Sequence, residues 1–120
     1  MMNILATETG NLNQYEIIPL ITDMIVKKIA PQKIILFGSC AKRCISRTSD
    51  IDLCIVMEGK ITSRKRIQIR SDLLQDILQI TDYEVDLFIC CEDEWQKNYE
   101  NSGVMIGKIF REGDLLYGGQ

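Results

Sequence analysis

Three short runs of aliphatic and β-branched residues set the plan of this chain: Lys33–Phe37, Ile51–Met57 and Glu84–Cys91. The first is stopped by Gly38 and the second by the turn residues Glu58-Gly59-Lys60. Runs of this length between turn signals predict buried strands. Helical periodicity fills the space between them. From Gln14 to Ala30 the apolar residues Ile17, Ile21, Met24, Ile25 and Ile29 recur at intervals of three and four, which predicts a helix. Lys27 and Lys28 suit its C-terminal dipole, and Pro31 ends it. Pro19 leaves two readings open: a stable helix starting near Ile18 with proline in its first turn, or a helix kinked there.

Thr62 to Thr81 predicts a second helix, with Ile69, Leu73, Ile77 and Ile80 on one stripe and Leu74 and Leu78 beside it. Glu92 to Arg111 predicts helix broken at Ser102-Gly103, before a short apolar piece, Leu115-Leu116-Tyr117. Met1 to Leu12 is polar and aperiodic, as expected of a loose end. The order predicts one α/β domain (α+β-like) over residues 1–120, a small mixed sheet packed by helices. The long helix between the second and third strands fits a parallel crossover.

Composition narrows the chemistry. The chain has no histidine, which removes His triads, His general bases and His-ligated zinc together. Its 17 acidic and 14 basic residues give a net charge of -3, so direct nucleic-acid binding through bulk charge is not expected. The odd set of cysteines (Cys40, Cys44, Cys54, Cys90 and Cys91), with no signal-like start, predicts a reduced, cytoplasmic setting. No run is long enough to predict a membrane span. Cys40 and Cys44 lack the further ligands that a structural zinc needs.

Three carboxylates interrupt the strand patterns. Asp50 and Asp52 bracket Ile51, and strand alternation places both on one face, opposite Ile51, Leu53 and Ile55. Asp86 shares its face with Phe88 and Cys90. Aspartate is a poor strand former, and three on neighbouring strands repel one another. A divalent cation relieves that repulsion, and an oxygen-only ligand set suits Mg2+. The plain alternative is three strand-end carboxylates meeting water.

The pattern resembles the minimal nucleotidyltransferase (MNT) family of the polymerase-beta-like nucleotidyltransferase superfamily. Gly38-Ser39, ten intervening residues and Asp50-Ile51-Asp52 stand in the family's order. Ile34-Ile35-Leu36-Phe37 precedes them as the family's apolar strand does, and Glu84-Val85-Asp86-Leu87 supplies the later aspartate. Arg111-Glu112-Gly113-Asp114-Leu115-Leu116-Tyr117 is similar to the family's ending. The resemblance implies a polymerase-beta-like fold and an Mg2+-dependent nucleotidyltransferase using ATP. By the same resemblance, Asp50, Asp52 and Asp86 are the catalytic and metal residues, holding two Mg2+ ions. Gly38 and Ser39 cradle phosphates, and Lys42 adds positive charge. It also implies the antitoxin of a HEPN toxin–antitoxin pair, transferring AMP to a toxin tyrosine. The alternatives are an antitoxin that neutralises by binding alone and a small-molecule nucleotidyltransferase.

Two positions depart from the family's loop: Lys42 replaces an arginine and Arg43 a glycine. If that glycine needs a positive φ, Arg43 is strained or the loop runs elsewhere. Arg64, Lys65, Arg66 and Arg70 crowd the start of the second helix, against its dipole. They read either as a solvated face or as a patch for an acidic partner or phosphate. Trp95, Tyr99 and Phe110 read as core or as partner surface.

Overall fold

The computed structural model describes residues 12–119. The elements are α1 (Gln14–Ile29), β1 (Lys33–Phe37), α2 (Gly38–Ala41), β2 (Ile51–Met57), α3 (Ser63–Ile77), β3 (Val85–Cys91), α4 (Glu92–Asn98), α5 (Met105–Glu112) and β4 (Asp114–Tyr117). The sheet order is β3-β2-β1-β4. β1 runs antiparallel to β2 and β4, whereas β2 and β3 are parallel and joined through α3. This is the mixed α/β sheet that the pattern of runs predicts.

Both faces of the sheet are covered, which explains why β2 is apolar on both sides. Ile17, Ile21 and Ile25 of α1 and Ile69, Leu73 and Ile77 of α3 pack on Ile34, Leu36, Ile51, Leu53, Ile55, Leu87 and Ile89. The opposite face carries Ile35, Cys54, Val56 and Cys90 under Trp95, Ile106 and Ile109 of α4 and α5. Cys54 and Cys90 are thus core residues; the neighbouring Cys90 thiol, then burial, raise the Cys54 pKa and keep its thiol protonated. All five cysteines are free thiols.

Pro19 does not delay α1. The helix starts at Gln14 behind a capping box, in which Asn13 accepts from the Glu16 backbone N–H and the Glu16 side chain accepts from that of Asn13. The cap offsets the backbone bond lost at Pro19, which lies inside the helix. The loose end assigned to residues 1–12 falls almost wholly outside the described residues. Leu12 itself is anchored, packing on the core and accepting a hydrogen bond of 3.2 Å from the Tyr83 hydroxyl.

One expectation is corrected, and one segment gains an assignment. The helix expected to reach Thr81 ends at Ile77, leaving Leu78 71% exposed. The periodicity outlasts the helix because Ile80 and Thr81 turn back toward the core in the loop before β3. The segment Leu115–Tyr117 is part of an edge strand: β4 pairs with β1, across an irregularity between Ile34 and Ile35.

The basic start of α3 is also resolved. Arg66 donates to the Ile89 carbonyl at 3.1 Å and Arg70 to that of Leu87 at 3.2 Å. β3 is the other edge of the sheet, so the two guanidinium groups occupy acceptors that an unprotected edge presents to other chains. Arg66 is fixed by Glu94 at 3.0 Å. Burial opposes ionisation of Glu94, but the Cys91 backbone N–H and Arg66 overcome it and hold its pKa below the usual value. Arg64 and Lys65 are the solvated members of the group. Trp95 is core, and Phe110, half exposed, meets Trp95 and Tyr99 edge to face at 6.2 and 5.0 Å.

These assignments separate two leucines that look alike in the sequence. Leu73→Ala is expected to cost about 2–5 kcal/mol, because it empties a fully buried site. Leu78→Ala should change stability by less than about 0.5 kcal/mol. Chemical denaturation of the two variants checks the difference.

Candidate active site

The C-terminal end of β1 and the N-terminal ends of β2 and β3 meet at one edge of the domain. Parallel pairing places Asp52 directly beside Asp86, and antiparallel pairing places Phe37 beside Asp52. Alternation puts Asp52 and Asp86 on the sheet face that α4 and α5 cover farther along, at Cys54, Val56 and Cys90. Asp52 is half-buried and Asp86 exposed. Their carboxyl groups are close enough for the charge of one to act on the other. Burial, then the charge and hydrogen bond of Asp86, then Asp50, raise the Asp52 pKa to about 6.

Gly38 is required by this geometry. Its φ is 72°, and a Cβ there would stand 2.2 Å from Asp52 Oδ2. No larger residue fits without moving the carboxylate. Gly38 opens the short α2, and Ser39, next to it, is exposed. The residue after β1 therefore turns the chain across the top of Asp52.

Asp50 stands differently from the other two carboxylates. It immediately precedes β2 and lines a cleft of about 490 Å3 with Arg47, Thr48, Leu78, Ile80 and Tyr83. Asp50 contributes to the field on Asp52, yet among the described residues no three carboxylate or thiol side chains converge as a ready metal cluster. The structure brings Asp52 and Asp86 together and leaves Asp50 at the rim.

The departing loop residues keep their place through compensating contacts. Arg43 has a φ of 60°, so the loop does call for the left-handed conformation there. That conformation costs a non-glycine residue roughly 1–2 kcal/mol. The Arg43 guanidinium lies over the Tyr15 ring at 4.5 Å, a cation–π contact worth about 0.5–1 kcal/mol at an exposed site. It also approaches Asp114 at 4.0 Å. Lys42 is exposed and pairs with Glu112 at 3.4 Å. Lys42 and Arg43 are thus both met by carboxylates at the end of α5 and the start of β4.

The sequence reading missed the residues that hold the loop. The Tyr15 hydroxyl donates to the Cys40 carbonyl at 2.9 Å. Gln14, fully buried, donates through Nε2 to the carbonyls of Ser46 and Ser49 at 2.9 and 3.1 Å. The Cys40 thiol is buried and reaches the Asp50 carbonyl at 3.5 Å. Burial, then the Asp52 charge, raises its pKa above the ordinary thiol value, which suits a packing role rather than a nucleophile. One signal was available: Gln14 falls on the same helical stripe as Ile17, Ile18, Ile21 and Ile25.

Asp52 carries a testable pH dependence. Its pKa is higher folded than unfolded, so its ionisation opposes folding. The penalty is absent below the unfolded value near 3.8, grows as pH rises through about 6, and is complete above that. Metal-free Asp52→Asn protein should therefore melt higher than wild type at pH 7–8, with the gain vanishing near pH 4. Thermal melts across that range check it. At Arg43 the left-handed backbone predicts that Arg43→Ala is less stable than Arg43→Gly by about 1 kcal/mol. Both variants lose the Tyr15 contact, so their difference in denaturant isolates the backbone effect.

The chain matches the family model described as "Polymerase beta, Nucleotidyltransferase" over residues 20–120. No curated protein matches it at the sequence level. Among solved structures, a toxin–antitoxin complex with AMP-PNP has 22% identity and a TM-score of 0.57, over 84% of this chain and 73% of the other. The toxin–antitoxin MntA–HpeT has 25% identity and a TM-score of 0.53, over 91% and 76%. A complex of a tri-AMPylated Shewanella oneidensis HEPN toxin with its MNT antitoxin has 22% identity and a TM-score of 0.53, over 85% and 73%. The match of fold and family over most of its length makes this chain a member of the polymerase beta nucleotidyltransferase family.

Proposed function

We propose that this nucleotidyltransferase transfers AMP from ATP to a tyrosine hydroxyl of a HEPN-domain toxin and so acts as its antitoxin. The observation that carries the reading is the carboxyl pair Asp52 and Asp86 under the Gly38 turn, in a chain of this family. The likeness to toxin–antitoxin complexes, one with an ATP analogue and one with an AMPylated toxin, supports the choice of nucleotide and acceptor.

The donor set fits a hard divalent cation. It offers oxygens only, and burial, then the negative charges of Asp86 and Asp50, raise the Asp52 pKa, a cost that a bound cation would relieve. Asp52 and Asp86, with Asp50 joining them from the rim, would hold Mg2+, two ions in the full site. Bound Mg2+ supplies charge neutralisation at the phosphates. Gly38 and Ser39 would cradle the β- and γ-phosphates, with Lys42 adding positive charge once released from Glu112. The acceptor oxygen attacks the α-phosphorus in line, and a new P–O bond forms. The bond from that phosphorus to the bridging oxygen breaks, and pyrophosphate leaves. Asp86 is the exposed carboxylate of the pair, suited to orienting the acceptor hydroxyl and taking its proton.

A second reading has one observation in its favour. Lys42 and Arg43 are already paired with Glu112 and Asp114, so the loop's charge is engaged within the chain. On that reading the protein neutralises its toxin by binding alone.

The decisive experiment offers radiolabelled ATP to the protein and a purified HEPN toxin, with Mg2+ or EDTA. Label should appear on toxin tyrosine with Mg2+ only. The Asp50→Asn, Asp52→Asn double variant should transfer about a hundredfold less or worse. If that variant still protects cells from the toxin, transfer is not the means of neutralisation.

A further inference from the structure

We infer that Gln14 is a positioning residue for Asp50, acting through the loop that delivers Asp50 to β2. The inference rests on the reading of Asp50 as a metal and nucleotide ligand.

Gln14 is a polar side chain with 2% of its surface exposed, in the first turn of α1. Such a group is costly to bury unless its hydrogen-bonding capacity is used. Both of its recorded bonds go to one distant loop: Nε2 donates to the Ser46 carbonyl at 2.9 Å and to the Ser49 carbonyl at 3.1 Å. A primary amide has two N–H groups, and these two carbonyls use both.

The loop is closed on itself between the same two serines. The Ser49 N–H donates to the Ser46 carbonyl at 3.3 Å, and the Ser46 N–H to Ser49 Oγ at 2.8 Å. Gln14 therefore grips both ends of a turn that is already formed. Ser49 is the residue before Asp50, and β2 begins at the residue after it. The Asp50 backbone is held from the other side by its carbonyl, which accepts from the buried Cys40 thiol. Asp50 is the one carboxylate of the three that lies outside the strand ladder, so strand pairing does not set its position. Asp52 and Asp86 need no such clamp, because their register fixes them.

The same helical turn reaches the other half of the site through Tyr15, whose hydroxyl holds the Cys40 carbonyl in α2. The capping box at Asn13 and Glu16 fixes the start of α1, and so the point from which Gln14 reaches out.

Gln14→Met keeps the side chain's length and removes both donors. Gln14→Glu keeps the shape and puts an acceptor against two acceptors. Ile25→Val serves as a control, since it loosens the same helix in the same core without touching the loop. Two readouts apply. Amide hydrogen exchange of the metal-free proteins should show residues 45–50 exchanging about tenfold faster or more in both Gln14 variants, with β1 and β3 unchanged. Calorimetric titration of ATP should need about tenfold more Mg2+ for half-saturation, as for other residues that orient a metal ligand, and excess Mg2+ should restore binding. Ile25→Val should move neither readout.

Wild-type exchange in the loop, or an Mg2+ requirement matched by Ile25→Val, overturns the inference. So does loss of the fold in both Gln14 variants, since Gln14 would then support the domain rather than one loop. If wild-type protein binds no ATP with Mg2+, the nucleotide reading fails, and the exchange result still decides whether Gln14 holds the loop.

Discussion

The parallel pairing of β2 with β3 is the constraint from which the site follows. It sets Asp52 beside Asp86 and gives both one face of the sheet. Two carboxylates in that position repel, and burial together with the Asp86 charge raises the Asp52 pKa. The arrangement persists because the rest of each strand is committed elsewhere. Ile51, Leu53, Ile55, Leu87 and Ile89 are buried against α1 and α3, and a slip of one residue would move all of them to the opposite face and break that packing. The core thus holds in place a pair of charges that would otherwise separate, at a cost in stability.

Around this pair the chain adds local devices. Gly38 turns at a positive φ because the Asp52 carboxylate occupies the space of a side chain. Arg43 takes the left-handed conformation without being glycine, and its guanidinium recovers part of the cost on the Tyr15 ring. The first turn of α1 then ties α2 and the loop before Asp50 to one rigid helix. At the far edge of the sheet, Arg66 and Arg70 occupy the open carbonyls of β3. Basic residues that in sequence suggest a binding patch serve here to close a sheet edge.

Much of this was legible before any coordinates. The three strand runs, the α1 stripe, the break at Ser102-Gly103 and the burial of Cys54 and Cys90 follow from period and composition. The helical pattern runs past the end of α3 because Thr81 is buried and Ile80 partly buried in the loop that follows, and burial alone continues the periodic signal. β4 was not recognised as a strand because four residues on an edge carry too little pattern to separate strand from coil. Pro19 leaves two readings open in the sequence, and the capping box at Asn13 and Glu16 sets the start of α1 at Gln14.

The sequence by itself determined which residues could do chemistry. Without histidine, with Asp50, Asp52 and Asp86 breaking apolar strands and Gly38-Ser39 ending another, few other groups were available. Local spacing suffices for that, because alternation along a strand and turn formation are near-neighbour properties. Only the tertiary structure decided which of these groups meet. Contact between Asp52 and Asp86 depends on strand register across a crossover, and the grip of Gln14 on Ser46 and Ser49 joins residues more than thirty positions apart. The pairing of Lys42 with Glu112 spans most of the chain. Such contacts are set by how whole elements pack, which no local pattern encodes.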